Sequence, residues 1–267
     1  MTYRLTFPAS VIDIHCHVLP GIDDGPETIE GSVALARAAE AAGIATIVAT
    51  PHVSSRYPND AATIARLVEA TNARFAAEGL AVNVLPGAEI AMTRFIDIDA
   101  DELRSLELGG GGWLLVEPPF ASLGMRLDTL LLGLQQRGHR IVLAHPERCA
   151  AFRRDPSMLE ELLASGFLVS ITAGSLVGRF GDEVRRFALQ LARAGMIHNV
   201  TSDAHDHLQR PPGILSEVER AGLAPLASWL TQEVPEALLA GTEIPPRPEV
   251  ALVVPSDSQG AWWRRLL

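Results

Sequence analysis

Cysteine is scarce in this sequence, since only Cys16 and Cys149 occur among its 267 residues. Two cysteines provide neither the disulfide framework of small secreted proteins nor a C-x-x-C zinc motif. We therefore predict that both are small packing residues of the interior.

Basic residues, long apolar runs and a leader segment are also lacking. Lys and Arg number 22 against 32 Asp and Glu, and the net charge of −10 disfavours nucleic-acid binding, which needs clustered basic residues. Part of this acidity fits a metalloenzyme, because the formal net charge counts carboxylates that bind divalent cations but not the cations themselves. No apolar run approaches the ~20 residues that span a bilayer, and no basic-then-apolar leader opens the chain, so we expect a cytoplasmic protein.

Apolar runs typical of strands alternate with segments of helical periodicity along most of the chain. Seven strands are predicted, at residues 12–17, 44–49, 81–85, 113–116, 140–144, 167–171 and 197–200. Helices are predicted at residues 27–42, 60–77, 100–106, 123–136, 156–164 and 182–194. This order predicts parallel strands joined by right-handed crossovers.

The predicted fold class is α/β. No Gly-rich dinucleotide motif follows the first strand, so a barrel fits better than a doubly wound sheet. We predict one barrel domain over residues 11–241, an irregular lead-in at 1–10, and a Pro-rich tail at 242–267 that runs extended over the surface. Trp262 and Trp263 in this tail could dock on the domain or on a partner.

Residues that bind metals stand at the end of nearly every predicted strand. The first strand ends in a His-x-His pair, whose side chains point the same way because strand side chains alternate. Such a pair alone is as often an ordinary polar strand end. Here later strands also end in ligand-type residues, and chemistry in barrels gathers at the carboxyl ends of strands. The nine candidates are His15, His17, Asp24, His52, Glu89, Glu117, His145, Asp203 and His205.

The remaining histidines provide a comparison. His139 and His198 come at the starts of their strands, which places them at the opposite end of a barrel, in structural roles. His207 follows the last candidates closely, and a supporting role beside a ligand is the alternative to a surface position.

Nine candidates exceed what one ion needs, because catalytic zinc takes three protein ligands and water. We predict two or three metals, with a carboxylate such as Glu89 bridging a pair, and mixed ligands of this kind suit Mn²⁺, Fe²⁺ or Zn²⁺. Two metals about 3.5–4 Å apart can clamp the oxygens of a phosphoryl group. Arg148 and Arg210 follow candidate ligands and could bind phosphate in a bidentate fork, the alternative being solvated surface arginines.

Together these motifs resemble the polymerase and histidinol phosphatase (PHP) superfamily. They are His-x-His at 15–17, LPGIDDG at 19–25, TPH at 50–52, PGAEI at 86–90, AHPER at 144–148, SDAH at 202–205 and RPP at 210–212. They are most similar to the bacterial capsular and exopolysaccharide-type, manganese-dependent protein tyrosine phosphatases. The glycine run at 109–112 looks like an insertion relative to that family, and the tail has no counterpart in it.

The resemblance implies a distorted, TIM-like (β/α)₇ barrel with three metal ions, usually manganese. Its pattern implies three ligand sets, which are His15, His17, Glu89 and Asp203; Glu89, Glu117 and His145; and Asp24, His52 and His205. Arg148 and Arg210 match positions that the family uses to grip phosphate.

The resemblance further implies hydrolysis of phosphotyrosine by metal-activated hydroxide, with a tyrosine autokinase of polysaccharide export as substrate. No phosphocysteine is implied, and the C-x5-R loop of cysteine-dependent phosphatases is indeed missing, because Ile22 and Asp155 stand six residues after the two cysteines. One alternative is a small-molecule phosphoesterase such as a histidinol-phosphate phosphatase, since one metal centre supports many substrates. The other is a catalytically silent kinase-binding module. A homo-oligomer is also left open.

Overall fold

The strands form two parallel sheets in the computed structural model, which describes residues 10–95, 97–120 and 127–252. The strands are Val11–Cys16 (β1), Ile44–Ala49 (β2), His52–Val53 (β3), Asn83–Pro86 (β4), Glu89–Ala91 (β5), Trp113–Glu117 (β6), Arg140–Ala144 (β7), Leu168–Thr172 (β8) and Asn199–Thr201 (β9). The first sheet has the order β1-β2-β4 and the second β3-β5-β6-β7-β8-β9. All these neighbours are parallel, so the predicted α/β class is confirmed.

Helices connect the strands. They are Ile29–Ala41 (α1), Ala61–Ala77 (α2), Ala100–Ser105 (α3), Leu127–Gln136 (α4), Ala150–Arg154 (α5), Ser157–Ala164 (α6), Ala173–Leu176 (α7), Asp182–Arg193 (α8), Leu215–Arg220 (α9) and Val234–Ala240 (α10). α1 and α2 begin where Thr28 and Asp60 cap them, each side chain accepting from a backbone N–H three residues on. None of the helices in the described ranges combines the length and the apolar character that a bilayer span requires.

The prediction of seven strands is corrected to nine strand segments among the described residues, because two of the predicted strands are each followed, after a break, by a further short strand. β2 and β3 are separated by Thr50 and by Pro51, which has no N–H to donate to a ladder. β4 and β5 are separated at Gly87, where a Cβ atom would lie 2.7 Å from Val48 Cγ1. Each interruption is followed by a short strand that begins with a candidate ligand.

The predicted barrel is not confirmed, because the described strands form two separate sheets. β1 nevertheless meets the segment that follows β9, at one parallel bridge between Cys16 and Ala204. His17 N donates to Ala204 O and Asp203 N donates to His15 O, both at 2.9 Å. These contacts bring the two ends of the α/β unit together at the carboxyl ends of β1 and β9.

The glycine run at 109–112 packs against the C-terminal helix α10. A Cβ atom at Gly111 would overlap the carbonyl oxygen of Leu238, so only glycine allows this approach. Arg140 Nη2 donates to the Gly111 carbonyl at 2.7 Å. The run therefore has a structural role, which the sequence left open, and neither α9 nor α10 was predicted.

The described part of the tail, residues 242–252, has no regular secondary structure, in agreement with an extended segment. Trp229 Nε1 donates to Pro245 O at 3.0 Å, and Ile244 and Leu252 pack against the core. The predictions for residues 1–9, for the start of the helix at 123–126, and for Trp262 and Trp263 lie outside the described residues.

Candidate active site

The carboxyl ends of the parallel strands bring all nine predicted ligands to one place. His52 and Glu89 are directly paired across β3 and β5, and Glu117 pairs with Ala91 on the next strand. The pair of histidines at the end of β1 joins them through the contact between β1 and β9. The clustering predicted from strand ends is therefore what the structure shows.

The innermost group contains His15, His17, Glu89 and Asp203. The Nε2 atoms of the two histidines lie 3.3 Å apart. Glu89 Oε2 lies 3.3 and 3.4 Å from these nitrogens, and Asp203 Oδ1 lies 3.6 and 3.5 Å from them. Ligand atoms of a four-coordinate site with bonds of about 2.1 Å lie about 3.4 Å apart, so these distances fit the ligands of one ion.

A second group adjoins the first through Glu89. His145 Nε2 lies 2.7 Å from Glu89 Oε1 and 3.9 Å from Glu117 Oε1. His52 Nδ1 lies 3.0 Å from Glu89 Oε2 and 4.0 Å from Glu117 Oε2. Because the two oxygens of Glu89 face different nitrogens, its carboxylate is placed to bridge two ions.

A third group stands at the more exposed end of the cluster. Asp24 Oδ1 lies 3.4 Å from His52 Nε2 and 3.3 Å from His205 Nε2. Ligand atoms of these three residues and of His17 all fall within 4.8 Å of one another. The Asp24 side chain is 45% exposed, so this group opens towards solvent.

The donor set fits divalent metal ions. Glu89 Oε2 is buried and accepts no hydrogen bond, although it faces ring nitrogens of His15, His17 and His52 within 3.4 Å. A buried carboxylate oxygen without a partner is costly. Imidazole and carboxylate ligands in this number suit Mn²⁺, Fe²⁺ or Zn²⁺, and a cation would satisfy this oxygen.

The charges of the cluster favour a cation. Burial and the nearby negative charge of Glu89 raise the pKa of Glu117 to about 8. Burial alone would lower the pKa of His17, but the nearby carboxylates of Asp203, Asp23 and Glu89 raise it well above its usual value. Neighbouring carboxylates contribute to both shifts, and a bound cation would neutralise part of their negative charge.

Two arginines cover the solvent side of Asp203. Arg148 Nη1 and Arg210 Nη2 donate to Asp203 Oδ2 at 2.7 and 2.6 Å, while Oδ1 of the same carboxylate faces the histidines. The guanidinium of Arg148 lies between the rings of Phe120 and Phe180, at 4.6 and 4.5 Å. Two cationic forks therefore stand beside the candidate metal site, where a phosphate would need them.

A family model described as capsular polysaccharide synthesis, CpsB/CapC, matches residues 11–221. The chain belongs to this family. Tyrosine-protein phosphatase YwqE of Bacillus subtilis (strain 168) is 40% identical over 197 residues, which cover 73% of this chain and 78% of that protein. The putative tyrosine-protein phosphatase CapC of Staphylococcus aureus is 33% identical over 205 residues, covering 75% and 79%.

A crystal structure from work on YwqE of Bacillus subtilis and CpsB of Streptococcus pneumoniae is also similar. Those proteins are described as unique metal-dependent tyrosine phosphatases. The TM-score is 0.79 at 36% sequence identity, over 90% of this chain and 100% of that one. The predicted resemblance to capsular-type tyrosine phosphatases is thus confirmed.

Sequence reasoning missed Asp23, which supports two candidate ligands of this CpsB/CapC-family site. Asp23 Oδ2 accepts from His17 Nδ1 at 2.7 Å and from the backbone N–H of His52 at 3.1 Å, and Oδ1 accepts from Gly25 N at 2.9 Å. These bonds orient His17 so that Nε2 faces the cluster. The adjacent Asp23 and Asp24 were the available signal, but only the fold shows that Asp23 supports His17 from behind while Asp24 faces His52 and His205.

Two further buried carboxyl groups were also missed. Asp13 accepts from both the hydroxyl and the backbone N–H of Ser202, and so ties β1 to the segment that carries Asp203. Glu147 accepts from Ser175 Oγ at 2.6 Å, and burial raises its pKa to about 7. Both hold the backbone beneath the site.

The backbone itself is unusual at two candidate ligands. Within the described residues, His145 and Asp203 are the only non-glycine residues with positive φ, at 32° and 50°. Such conformations are uncommon outside glycine and gather at functional sites. Nothing in the residue types alone indicated this.

The other histidines lie outside the cluster. His198 Nδ1 accepts from Val169 N at 3.2 Å, and the His139 ring contacts Phe95 edge-on at 5.6 Å, as expected for structural roles. His207 is exposed and is not part of any group of candidate ligands among the described residues.

Proposed function

We propose that this CpsB/CapC-family protein is a metal-dependent protein tyrosine phosphatase that hydrolyses phosphotyrosine without a covalent cysteine intermediate. The observation that carries the proposal is Asp203, whose one oxygen faces His15 and His17 and whose other oxygen accepts from Arg148 and Arg210. Metal ligands and phosphate-binding cations thus share one carboxylate. The names of the relatives support the same activity.

The proposed metal is Mn²⁺, held in the three ligand sets that the family resemblance implies. When bound, such ions lower the pKa of water and polarise phosphoryl oxygens. Glu89 would bridge two of the sets, since its two oxygens face different histidines. We further propose that the strands form a distorted seven-stranded barrel over residues 11–241, in which β2 with β3 and β4 with β5 each count as one strand, and which closes where Cys16 and Ala204 meet.

The two arginines would bind and orient the phosphate. Their guanidinium groups already lie within 2.7 Å of Asp203, so a phosphate placed beside the ligands would meet cationic donors at once. Guanidinium groups match phosphate oxygens in a bidentate geometry. The hydroxyl of tyrosine, the leaving group, has a pKa near 10. It can therefore leave as a phenolate with less protonation by a general acid than an alkoxide needs.

Neither cysteine is placed to act as a nucleophile. Both side chains belong to buried residues, and burial raises the pKa of each thiol. Cys149 Sγ donates to Pro119 O at 3.2 Å and Cys16 Sγ donates to Ala204 O at 3.7 Å. Reactive cysteines are exposed and have lowered pKa values, which is the opposite of what these thiols show.

The test compares turnover of a phosphotyrosine peptide with and without Mn²⁺. We expect Mn²⁺ to stimulate hydrolysis and chelation to abolish it, and readdition of the metal to restore it. Activity that survives complete metal removal, verified by elemental analysis, would contradict the proposal. A purified protein that binds no metal and turns over no phosphoester would instead be a silent binding module.

The proposed physiological substrate is a tyrosine kinase of polysaccharide export, because the family is described by capsular polysaccharide synthesis. The competing substrate class is a small phosphomonoester such as histidinol phosphate. Comparing kcat/KM for the peptide and for histidinol phosphate separates the two, and a higher value for histidinol phosphate would favour the second class.

A further inference from the structure

An exposed aromatic ring stands beside the phosphate-binding arginines. Phe120 follows Glu117 by three residues, and 45% of its side chain is exposed. Its ring lies 4.6 Å from the guanidinium carbon of Arg148 and is stacked at 5.5 Å against the ring of His145. A partly exposed phenylalanine therefore stands between a candidate metal ligand and an arginine that is a candidate for binding phosphate.

Large exposed hydrophobic side chains are rare in the part of the chain that the structure describes. In the ranges 10–95, 97–120 and 127–252 they are Phe120, Leu208 and Val250. Leu208 is 76% exposed and lies on the loop between His205 and Arg210. Two of the three therefore lie on loops that also carry site residues, which indicates that the rim of the site contacts something apolar.

We propose that Phe120 forms an aryl-binding subsite, in which the exposed part of its ring packs against the phenyl ring of an aryl phosphate bound by Arg148. This inference rests on the proposed function and names the residue that selects phosphotyrosine over alkyl phosphates. The phenyl ring of phosphotyrosine is joined to phosphorus through a single oxygen. A phosphate on Arg148 therefore brings that ring towards Phe120, and aromatic rings interact with centroids 4.5–7 Å apart.

Phe180 provides a matched comparison, because it contacts the same arginine without the same exposure. Its ring lies 4.5 Å from the guanidinium carbon of Arg148 and 6.0 Å from that of Arg210. It is partly buried, so its role is to position the arginines. Loss of Phe180 should weaken binding of every phosphate group equally, whereas loss of Phe120 should act mainly on aryl compounds.

The test measures binding of phenylphosphonate and methylphosphonate to the Mn²⁺-loaded protein by isothermal titration calorimetry. In Phe120→Ala we expect the Kd of phenylphosphonate to rise about 2- to 13-fold, the range for one aromatic pair. The Kd of methylphosphonate should change less than twofold. Phe120→Trp should restore the preference for the aryl compound, and Phe180→Ala should weaken both ligands by the same factor.

Equal weakening of both phosphonates in Phe120→Ala, or no weakening of either, would overturn the inference. A wild-type protein that binds the two phosphonates equally well would overturn it too. Hydrolysis of phosphotyrosine peptide by the wild-type protein decides the proposed function separately. An active enzyme without aryl preference would leave the phosphatase in place and remove only the subsite.

Discussion

Replacing Asp23 by Asn should weaken metal binding, although Asp23 touches no candidate metal position itself. Its carboxylate accepts three hydrogen bonds, from His17 Nδ1, His52 N and Gly25 N, and its side chain is 1% exposed. An amide has only one oxygen, so in either orientation one partly buried backbone N–H, of His52 or of Gly25, loses its acceptor. The charge-assisted bond to His17 is lost in both orientations.

The size of the effect follows from these bonds. A buried donor without a partner costs about 1–3 kcal/mol, which corresponds to about 5- to 150-fold in an equilibrium constant. Loss of a carboxylate behind a ligating histidine typically lowers metal affinity about 10- to 100-fold. For Asp23→Asn we therefore expect Mn²⁺ affinity about 10- to 100-fold weaker and a free energy of unfolding about 1–3 kcal/mol lower.

Isothermal titration calorimetry with Mn²⁺ measures the affinity, and urea denaturation of the metal-free protein measures the unfolding free energy. Asp97→Asn is the control, because the Asp97 side chain is 61% exposed and pairs only with Arg94 among the described residues. We expect it to change stability by no more than about 0.5 kcal/mol and to bind Mn²⁺ normally. Unchanged Mn²⁺ affinity in Asp23→Asn would refute the reasoning.

Three other changes test separate parts of the protein. Arg148→Ala and Arg210→Ala should each lower turnover about 100-fold with metal content retained, whereas loss of metal would mean that the arginines only support Asp203. Burial lowers the pKa of His198 to about 4 from 6.5, so the unfolded chain binds more protons between these values and stability falls as pH falls from 6.5 to 4. Between pH 7 and pH 5, the wild-type protein should lose about 2 kcal/mol more unfolding free energy than His198→Gln, measured by urea denaturation. An equal loss in the two proteins would rule this out. Cys149→Ala should retain turnover within about threefold, since its thiol is buried, and inactivation without unfolding would argue for thiol chemistry.

Much of the site was predictable because ligand position is tied to local pattern. Apolar runs locate the strands, and the residue after each run lies at the carboxyl end, where parallel strands meet. His52, Glu89 and His145 were found in this way. The separate roles of Asp23 and Asp24 were not predictable, because both stand in an irregular loop whose side-chain directions depend on the strands around it.

The interruptions of the strands also escaped prediction for a physical reason. A Pro or Gly in an apolar run is compatible with a strand end or with a break, and periodicity does not distinguish them. At Gly87 the break depends on Val48, which is distant in sequence and close in space. The same applies to Gly111, whose neighbour Leu238 lies on a helix that the sequence pattern did not reveal.

Strand order and residue type are enough to predict the α/β class, the nine candidate ligands and the two arginines. Which oxygen of Glu89 or Asp203 faces which partner, and that Asp23 supports His17, became visible only in the folded chain. It also decided that Phe120 stands exposed against Arg148. Such contacts join residues far apart in the chain, and distances between side chains exist only once the strands have been placed side by side.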